Sequence, residues 1–355
     1  MKVLTADPPN LEPALEGLVR SWITPVEHFY VRSHAASPEL DLSKFRLSVD
    51  GLVETPFQLN LEALKTRFKS RDVVATMTCA GNRRVEFNST REVGGVQWGA
   101  GAIGNARWSG VPLAALLKAA GVQSVARHVC FEGADAVAHG QGTIPFGGSI
   151  PIDQALAGGD ASPGALVCWD MNGKPLTPDH GFPIRMVVPG YIGARSVKWL
   201  SKIIVSDQPS ANHYLAGAYK LVESDEEDAW SAAPPIYRYP VNSAICVPAD
   251  GAEVQPGRLQ MLGYALPSGE PESTIARVEV SADEGESWHL ASLVGPSKPF
   301  CWRLWRAEVA VTPRTSRLWV HATDSAGHRQ PAEVDWNLKG YLYNAWHRVG
   351  IDVRG

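Results

Sequence analysis

After residue 257 the chain becomes a series of short runs rich in β-branched and aromatic residues, each stopped by a turn: "RLQMLGYAL" (258–266), "IARVEVSAD" (275–283), "SWHLASLV" (287–294), "CWRLWRAEVAV" (301–311) and "SRLWVHATDSAG" (316–327). Runs of this length and composition read as strands. The segment "SADEGESW" reads as a hairpin turn, with Gly285 free to take positive φ. Strands at this density predict a small immunoglobulin-like sandwich. Upstream, "LVESDEEDAWSAAPPIYRYP" (221–240) is an acidic run followed by prolines, the composition of a solvated interdomain linker. A chain of 355 residues is also long for one ordinary core. The expectation is an α+β chain of two domains: 1–236, a mixed α/β unit, and 237–355, the all-β sandwich.

In the first unit, "FRLSVDGLV" (45–53), "DVVATMTC" (72–79), "HVCFEG" (128–133), "FPIRMVVP" (182–189) and "VKWLSKIIVS" (197–206) read as strands. "SGVPLAALLKAAGV" (109–122) predicts a short helix capped by Ser109, with Pro112 in its first turn and Gly121 at its end. Residues 1–40, with prolines at 8, 9, 13, 25 and 38, predict an extended arm. The loops between are rich in glycine and proline, where functional groups tend to sit.

The formal net charge is −4, which gives no sign of a nucleic-acid partner. No apolar run approaches the length of a membrane span. The N-terminal "MKVLTADPPN" has no apolar stretch before a cleavage site, so the expected location is cytoplasmic. Cysteines stand at 79, 130, 168, 246 and 301 with no CxxC pair, which indicates neither a disulfide framework nor a zinc site. Cys79 differs by its neighbours. In "TMTCAGNRR" (76–84) it ends an apolar run and precedes a glycine turn and two arginines, a setting that suits a thiolate at the edge of a pocket. Arg32, His34, His180, Arg185, Arg195 and Lys198 recur in the other loops. Singly each reads as a solvated surface charge. Gathered together they would form a cationic cleft for a phosphate-bearing cofactor or an oxyanion. Neither GxxxxGK[ST] nor a post-strand GxGxxG is present, which argues against the common nucleotide sites.

The chain resembles the sulfite oxidase family of molybdenum enzymes, in forms that lack a haem domain. The resemblance rests on "TPVEHFYVRSH" (24–34), "TCAGNRR" (78–84), "GAIGNARWSG" (101–110), "HVCFEG" (128–133), "MNGKPLTPDHGFPIRMVVPGYIGARSVKWL" (171–200), "AYK" (218–220) and "WNLKGYLYNAWHRV" (336–349), in the family's order. It implies that Cys79 is the one protein ligand of a molybdenum carried by a single molybdopterin, a soft thiolate on a thiophilic centre. It further implies cofactor contacts from Tyr30, Val31, Arg32, Ser33, His34, His180, Arg185, Ser196, Val197 and Lys198, with Asp135 toward the pterin ring. The implied substrate pocket comprises Arg32, Arg84, Trp98, Tyr219 and Lys339. The implied activity is oxidation of sulfite to sulfate, in a homodimer formed through the second domain. Electrons would leave to an external acceptor (a cytochrome, another carrier or oxygen), since the chain has no CxxCH. Lys339 departs from the pattern: sulfite-oxidising members commonly have arginine there, and lysine keeps the charge without the planar fork. Two other readings stand beside this one. They are reduction of nitrate or a sulfoxide at the same site, and a binding module without cofactor, which would purify without molybdenum. The ligand assignment has a direct check. Cys79→Ser is expected to remove most turnover while leaving the fold intact by circular dichroism, and parental turnover would overturn it.

Overall fold

The computed structural model describes residues 1–158 and 163–354. The first half is built on two five-stranded sheets, a small N-terminal one and the two-stranded hairpin Val137–His139, Gly142–Ile144. One large sheet has the order Gly147–Pro151, His128–Gly133, Leu200–Ser206, Leu47–Gly51, Phe57–Leu59, with a single parallel pair between 200–206 and 47–51. The other places Ile103–Pro112 between Arg71–Thr78 and Leu166–Met171, with Arg185–Val187 and Lys174–Pro175 added on 166–171. Helix Leu113–Ala120 lies over the core of the first sheet and buries Leu113, Leu116, Leu117 and Ala120. That i, i+3, i+4, i+7 spacing is one face of a helix. Gly121 closes it at φ 71. The helix begins later than the sequence suggests. Ser109 does not cap it, because 103–112 is strand throughout, with Ser109 opposite both Asp72 and Asp170.

The N-terminal region is also more regular than an extended arm. Lys2–Thr5, Asn10–Glu12 and Val31–Arg32 form a three-stranded sheet, and Leu15–Leu18 is a helical turn. Of 182–189 only Arg185–Val187 is strand, and 197–206 becomes strand at Leu200.

The second half is a two-sheet sandwich. Asn242–Val247, Gly257–Leu266, Arg303–Val311 and Ser292–Val294 make one sheet. Ala252–Val254, His347–Val353, Arg317–Asp324, Ile275–Ser281 and His289–Leu290 make the other. Ile245, Met261 and Val309 of the first meet Val278, Val320 and Ala322 of the second in one core. The hairpin at Gly285 forms, with φ 88. The stretch 287–294 divides at Ala291: His289–Leu290 pairs in one sheet and Ser292–Val294 in the other.

The segment between the halves is solvated along its acidic run, where Glu223 and 225–228 are exposed, and docks beyond it. Its acidic residues start the helix Glu227–Ala232, where negative charge suits the N-terminus. Ile236 and Tyr239 are buried in a core shared by both halves, with Ala80, Ala100 and Ile103 on one side and Tyr264, Trp302 and Leu304 on the other. The seam is also polar. Tyr264 Oη donates to the Ala100 carbonyl (2.9 Å) and accepts from Asn82 Nδ2 (3.1 Å). Arg83, with no exposed surface, forks onto Glu86 (2.6 and 2.7 Å) and reaches Asn242 Oδ1 (2.8 Å). Removing one partner of such a pair leaves a buried charge uncompensated. Glu86→Ala is therefore expected to lower the unfolding free energy by about 3 kcal/mol, measurable by urea denaturation. A change below about 1 kcal/mol would show that Arg83 is held adequately without its carboxylate.

Candidate active site

Cys79 directly follows the strand Arg71–Thr78, its N–H bonded to the Ala102 carbonyl (2.9 Å), so the sheet fixes where the thiol stands. Its Sγ accepts from the N–H of Gly81 (3.4 Å). The following turn is tight, with Arg83 at φ 66. Gly81 has a steric role here. A Cβ at that position would come within 2.7 Å of the Arg84 guanidinium, and one at Gly340 within 2.8 Å of Arg84 Cγ. Arg84 is thus threaded between two glycines far apart in the chain. Its Nη1 donates to Val96 O (2.9 Å), its Nε to Gly340 O (3.4 Å), and its guanidinium lies 5.1 Å from the Tyr341 ring centre.

The Cys79 thiol opens on a cleft lined by Tyr30, Arg32, Ser33, His34, Asp135, His180, Arg185, Ser196, Lys198 and Tyr219. Each cation is aimed by neutral partners. Arg185 donates to the carbonyls of His180 (2.9 Å) and Ser196 (3.0 Å) and touches Met77 Sδ (3.1 Å). Lys198 Nζ donates to Ser33 Oγ (2.7 Å) and Asp179 O (2.8 Å). Arg32 donates to Asn10 Oδ1 (3.1 Å) and to the Ser33 carbonyl, and lies 3.0 Å from the His34 ring. His34 Nε2 meets Tyr219 Oη at 2.9 Å. Among the described residues, no carboxylate lies within 4 Å of the charged nitrogens of Arg32, Arg84, Arg185, Arg195 or Lys198. The titrations reflect this. Burial, then Arg32, pushes His34 down to about 2. Burial, then Arg185, pushes His180 down to about 4. Burial lowers Arg185 to about 10, and burial with Arg185 lowers Lys198. Burial raises the carboxyl of Asp135, whose Oδ1 accepts from Phe146 N (3.0 Å). Burial also raises the phenols of Tyr30 and Tyr219. A site where folding concentrates cations and omits counter-charge is completed by an anion.

The remaining residues named from the sequence lie around this cleft, not on its surface. Val31 is buried in its strand pair with Leu11, and the Val197 carbonyl accepts from Met186 N (2.8 Å). Trp98 is fully buried beside Gly81 and edge-on to Tyr30 at 6.3 Å, and its indole N–H has no partner among the described residues. Lys339 is exposed, its ammonium 5.3 Å from the Trp230 ring centre, on an outer cavity that also includes His213, Tyr219 and Tyr341. Tyr219 lines both cavities. Residues that the sequence did not single out also line the cleft, among them Met77 and Phe146. Met77, next to last in the strand, stands two positions before Cys79 and lines the same cleft. Phe146 stacks on His34 (5.0 Å) and carries no pattern of its own. Positive φ at Arg83 (66), Trp199 (52), Tyr219 (51) and Leu342 (58) gathers around the site, where such strain is usual.

Two family models match the chain. The oxidoreductase molybdopterin binding domain covers residues 34–214, and the Mo-co oxidoreductase dimerisation domain covers 233–354. Fold and cleft together define a molybdopterin-dependent oxidoreductase. The chain is 41% identical over 364 residues to sulfite oxidase of Gallus gallus (98% of this chain, 77% of that protein). It is 38% identical over 373 residues to nitrate reductase [NADH] of Solanum lycopersicum (98% and 40%). It spans 63% to 66% of the mitochondrial sulfite oxidases that it matches. Among solved structures, the sulfane dehydrogenase SoxCD from Paracoccus pantotrophus superposes with a TM-score of 0.82 at 26% identity, covering 99% of this chain and 88% of that one. The chain belongs to the sulfite oxidase family.

The depressed histidines give a pH test on the protein without cofactor. An unfolded histidine takes a proton as pH falls below about 6.5, whereas folded His180 resists down to about 4. Its contribution to stability is therefore intact above pH 6.5 and is lost from there down to about 4, at up to about 1.4 kcal/mol per pH unit. Urea unfolding at pH 7, 6 and 5 should show a steeper loss for the parent than for His180→Asn. Equal slopes would mean that His180 titrates normally.

Proposed function

We propose that the protein oxidises sulfite to sulfate and passes the electrons to an external acceptor, a cytochrome, another carrier or oxygen. The observation that carries this reading is the convergence of the Cys79 thiol, Arg32 and Tyr219 on one cleft whose cations have no carboxylate partner among the described residues. Molybdopterin fits that cleft. Cys79 would supply the thiolate to molybdenum, and Arg185, Lys198, His180, Ser33 and Ser196 would hold the phosphate end. Asp135 would meet the heterocycle, with Tyr30 and His34 along its edge. When bound, the group supplies two-electron, oxygen-transferring redox chemistry.

The chain's own share is electrostatic and positional. Arg32 and Arg84 would take the substrate oxyanion, offsetting its repulsion from an anionic cofactor. The Trp98 N–H, without a partner among the described residues, is a further donor on that side. Tyr219, between the two cavities, would orient a small anion arriving from outside. The match to a dimerisation domain supports a homodimer formed through the second half, in which the two-sheet sandwich is of the immunoglobulin-like kind.

The test is molybdenum analysis of the purified protein together with sulfite-dependent reduction of ferricyanide. Sulfite turnover without molybdenum, or molybdenum without sulfite turnover, would sink the reading. Similarity to a nitrate reductase, with Lys339 as the divergent residue, favours nitrate as the second substrate to assay, with a reduced viologen as donor.

Lys339, exposed on the outer cavity, should act by drawing the anion in. Lys339→Ala is expected to raise KM for sulfite several-fold with kcat little changed, and Lys339→Arg, which keeps the charge, to leave it near the parental value. The effect of the alanine should shrink as salt rises, because an exposed charge is screened over roughly 10 Å at 0.1 M. An unaltered KM for Lys339→Ala at low salt would remove Lys339 from the substrate path.

A further inference from the structure

Arg195 has no carboxylate partner among the described residues and only 1% of its surface exposed. Burial pushes its guanidinium down to about 10. Its Nε donates to Ile236 O (2.9 Å) and its Nη1 to Tyr214 O (2.8 Å), while Nη2 has no partner among the described residues. Burying a cation on such terms is costly, and an apolar side chain of the same length would fill the space at less cost. What it touches explains its presence. The peptide of Ile236 is gripped from both sides: its carbonyl accepts from Arg195, and its N–H donates to the carbonyl of Tyr219 (2.8 Å). The same guanidinium lies 5.8 Å from the centre of the Tyr219 ring. Tyr219 sits at φ 51, a conformation that a non-glycine residue keeps only when its surroundings impose it. Its ring stacks on Tyr341 (5.1 Å, 14°), and Tyr341 in turn lies against Arg84.

We propose that Arg195 is a positioning residue for the reaction, clamping the strained Tyr219 through the Ile236 peptide and through its ring, and thereby setting the row Arg195, Tyr219, Tyr341, Arg84, whose two tyrosines line the outer cavity. This rests on the assignment of Tyr219 and Arg84 to the substrate side. Arg195 itself touches no substrate. Tyr341, contributed by the second half of the chain, is the relay between the tyrosine and the arginine.

The experiment uses the full-length, molybdenum-loaded protein, with turnover expressed per molybdenum so that cofactor loss is not mistaken for lost positioning. Arg195→Met should lower kcat/KM for sulfite by about tenfold or more, and Arg195→Lys should recover part of that loss. Arg195→Met and Tyr341→Leu should be non-additive, as members of one row. A second readout is independent of turnover: fluorine NMR of fluorotyrosine-labelled protein, the Tyr219 line being assigned with Tyr219→Phe. That line should be displaced or doubled in Arg195→Met and in Tyr341→Leu. If Arg195→Met does not fold, Arg195→Lys and Tyr341→Leu carry the same comparison. An unmoved Tyr219 line, or strictly additive losses, would overturn the proposal. If the parent itself fails to oxidise sulfite, the substrate assignment falls, and the Tyr219 line still decides whether Arg195 positions it.

Discussion

The structure depends on positive charge held out of water, around the cleft, with no carboxylate partner among the described residues. Arg185 and Arg195 are almost wholly buried, Arg32 and Lys198 half so, and all four are restrained by carbonyls and hydroxyls instead of carboxylates. Neutral partners fix direction but leave the charge uncancelled. A carboxylate at any of these positions would stabilise the empty protein and compete with the cofactor. The fold instead retains an electrostatic debt that an anionic pterin phosphate, and later an oxyanion, can relieve. Burial first, and then the neighbouring Arg32 and Arg185, hold His34 and His180 below the usual histidine range, so a further proton there is disfavoured.

Directing so many cations takes rigid backbone from several sources. The thiol comes from the end of one sheet strand, Arg32 from the small N-terminal sheet, Lys198 from the loop before Leu200–Ser206, and Tyr341 from the sandwich half. The halves do not meet as two finished bodies. Tyr264 and Trp302 complete a core begun by Ala80, Ala100 and Ile103, and the turn after Cys79 is hydrogen-bonded to the second half through Asn82 and Arg83. Geometry at the thiol is therefore coupled to packing in the sandwich.

Much of this was legible in the chain itself. The strand density after residue 257, the thiol before a glycine turn, and the recurrence of Arg, His and Lys in glycine-rich loops all point to features that the structure contains. What could not be read was contributed by distant contacts. Ser109 looks like a helix cap, but two neighbouring strands hold it in a sheet. The acidic stretch near 225 resembles a tether, yet the apolar residues after it, Ile236 and Tyr239, enter the shared core. Lys339 falls by sequence among the substrate residues, whereas the fold sets its ammonium over Trp230 on the outer cavity. Phe146 and Tyr341 gain their roles from which rings they meet, and nothing local announces that.

The seat of Arg84 has a temporal consequence. One wall is Gly81, made almost at once, and the other is Gly340, whose carbonyl accepts from a residue 256 positions earlier. While the ribosome is still working through the sandwich, Arg84 has nowhere to lodge. Only the stretch around residue 340 closes that seat. A product truncated before it would leave Arg84 without its second wall, however much of the first half had been made.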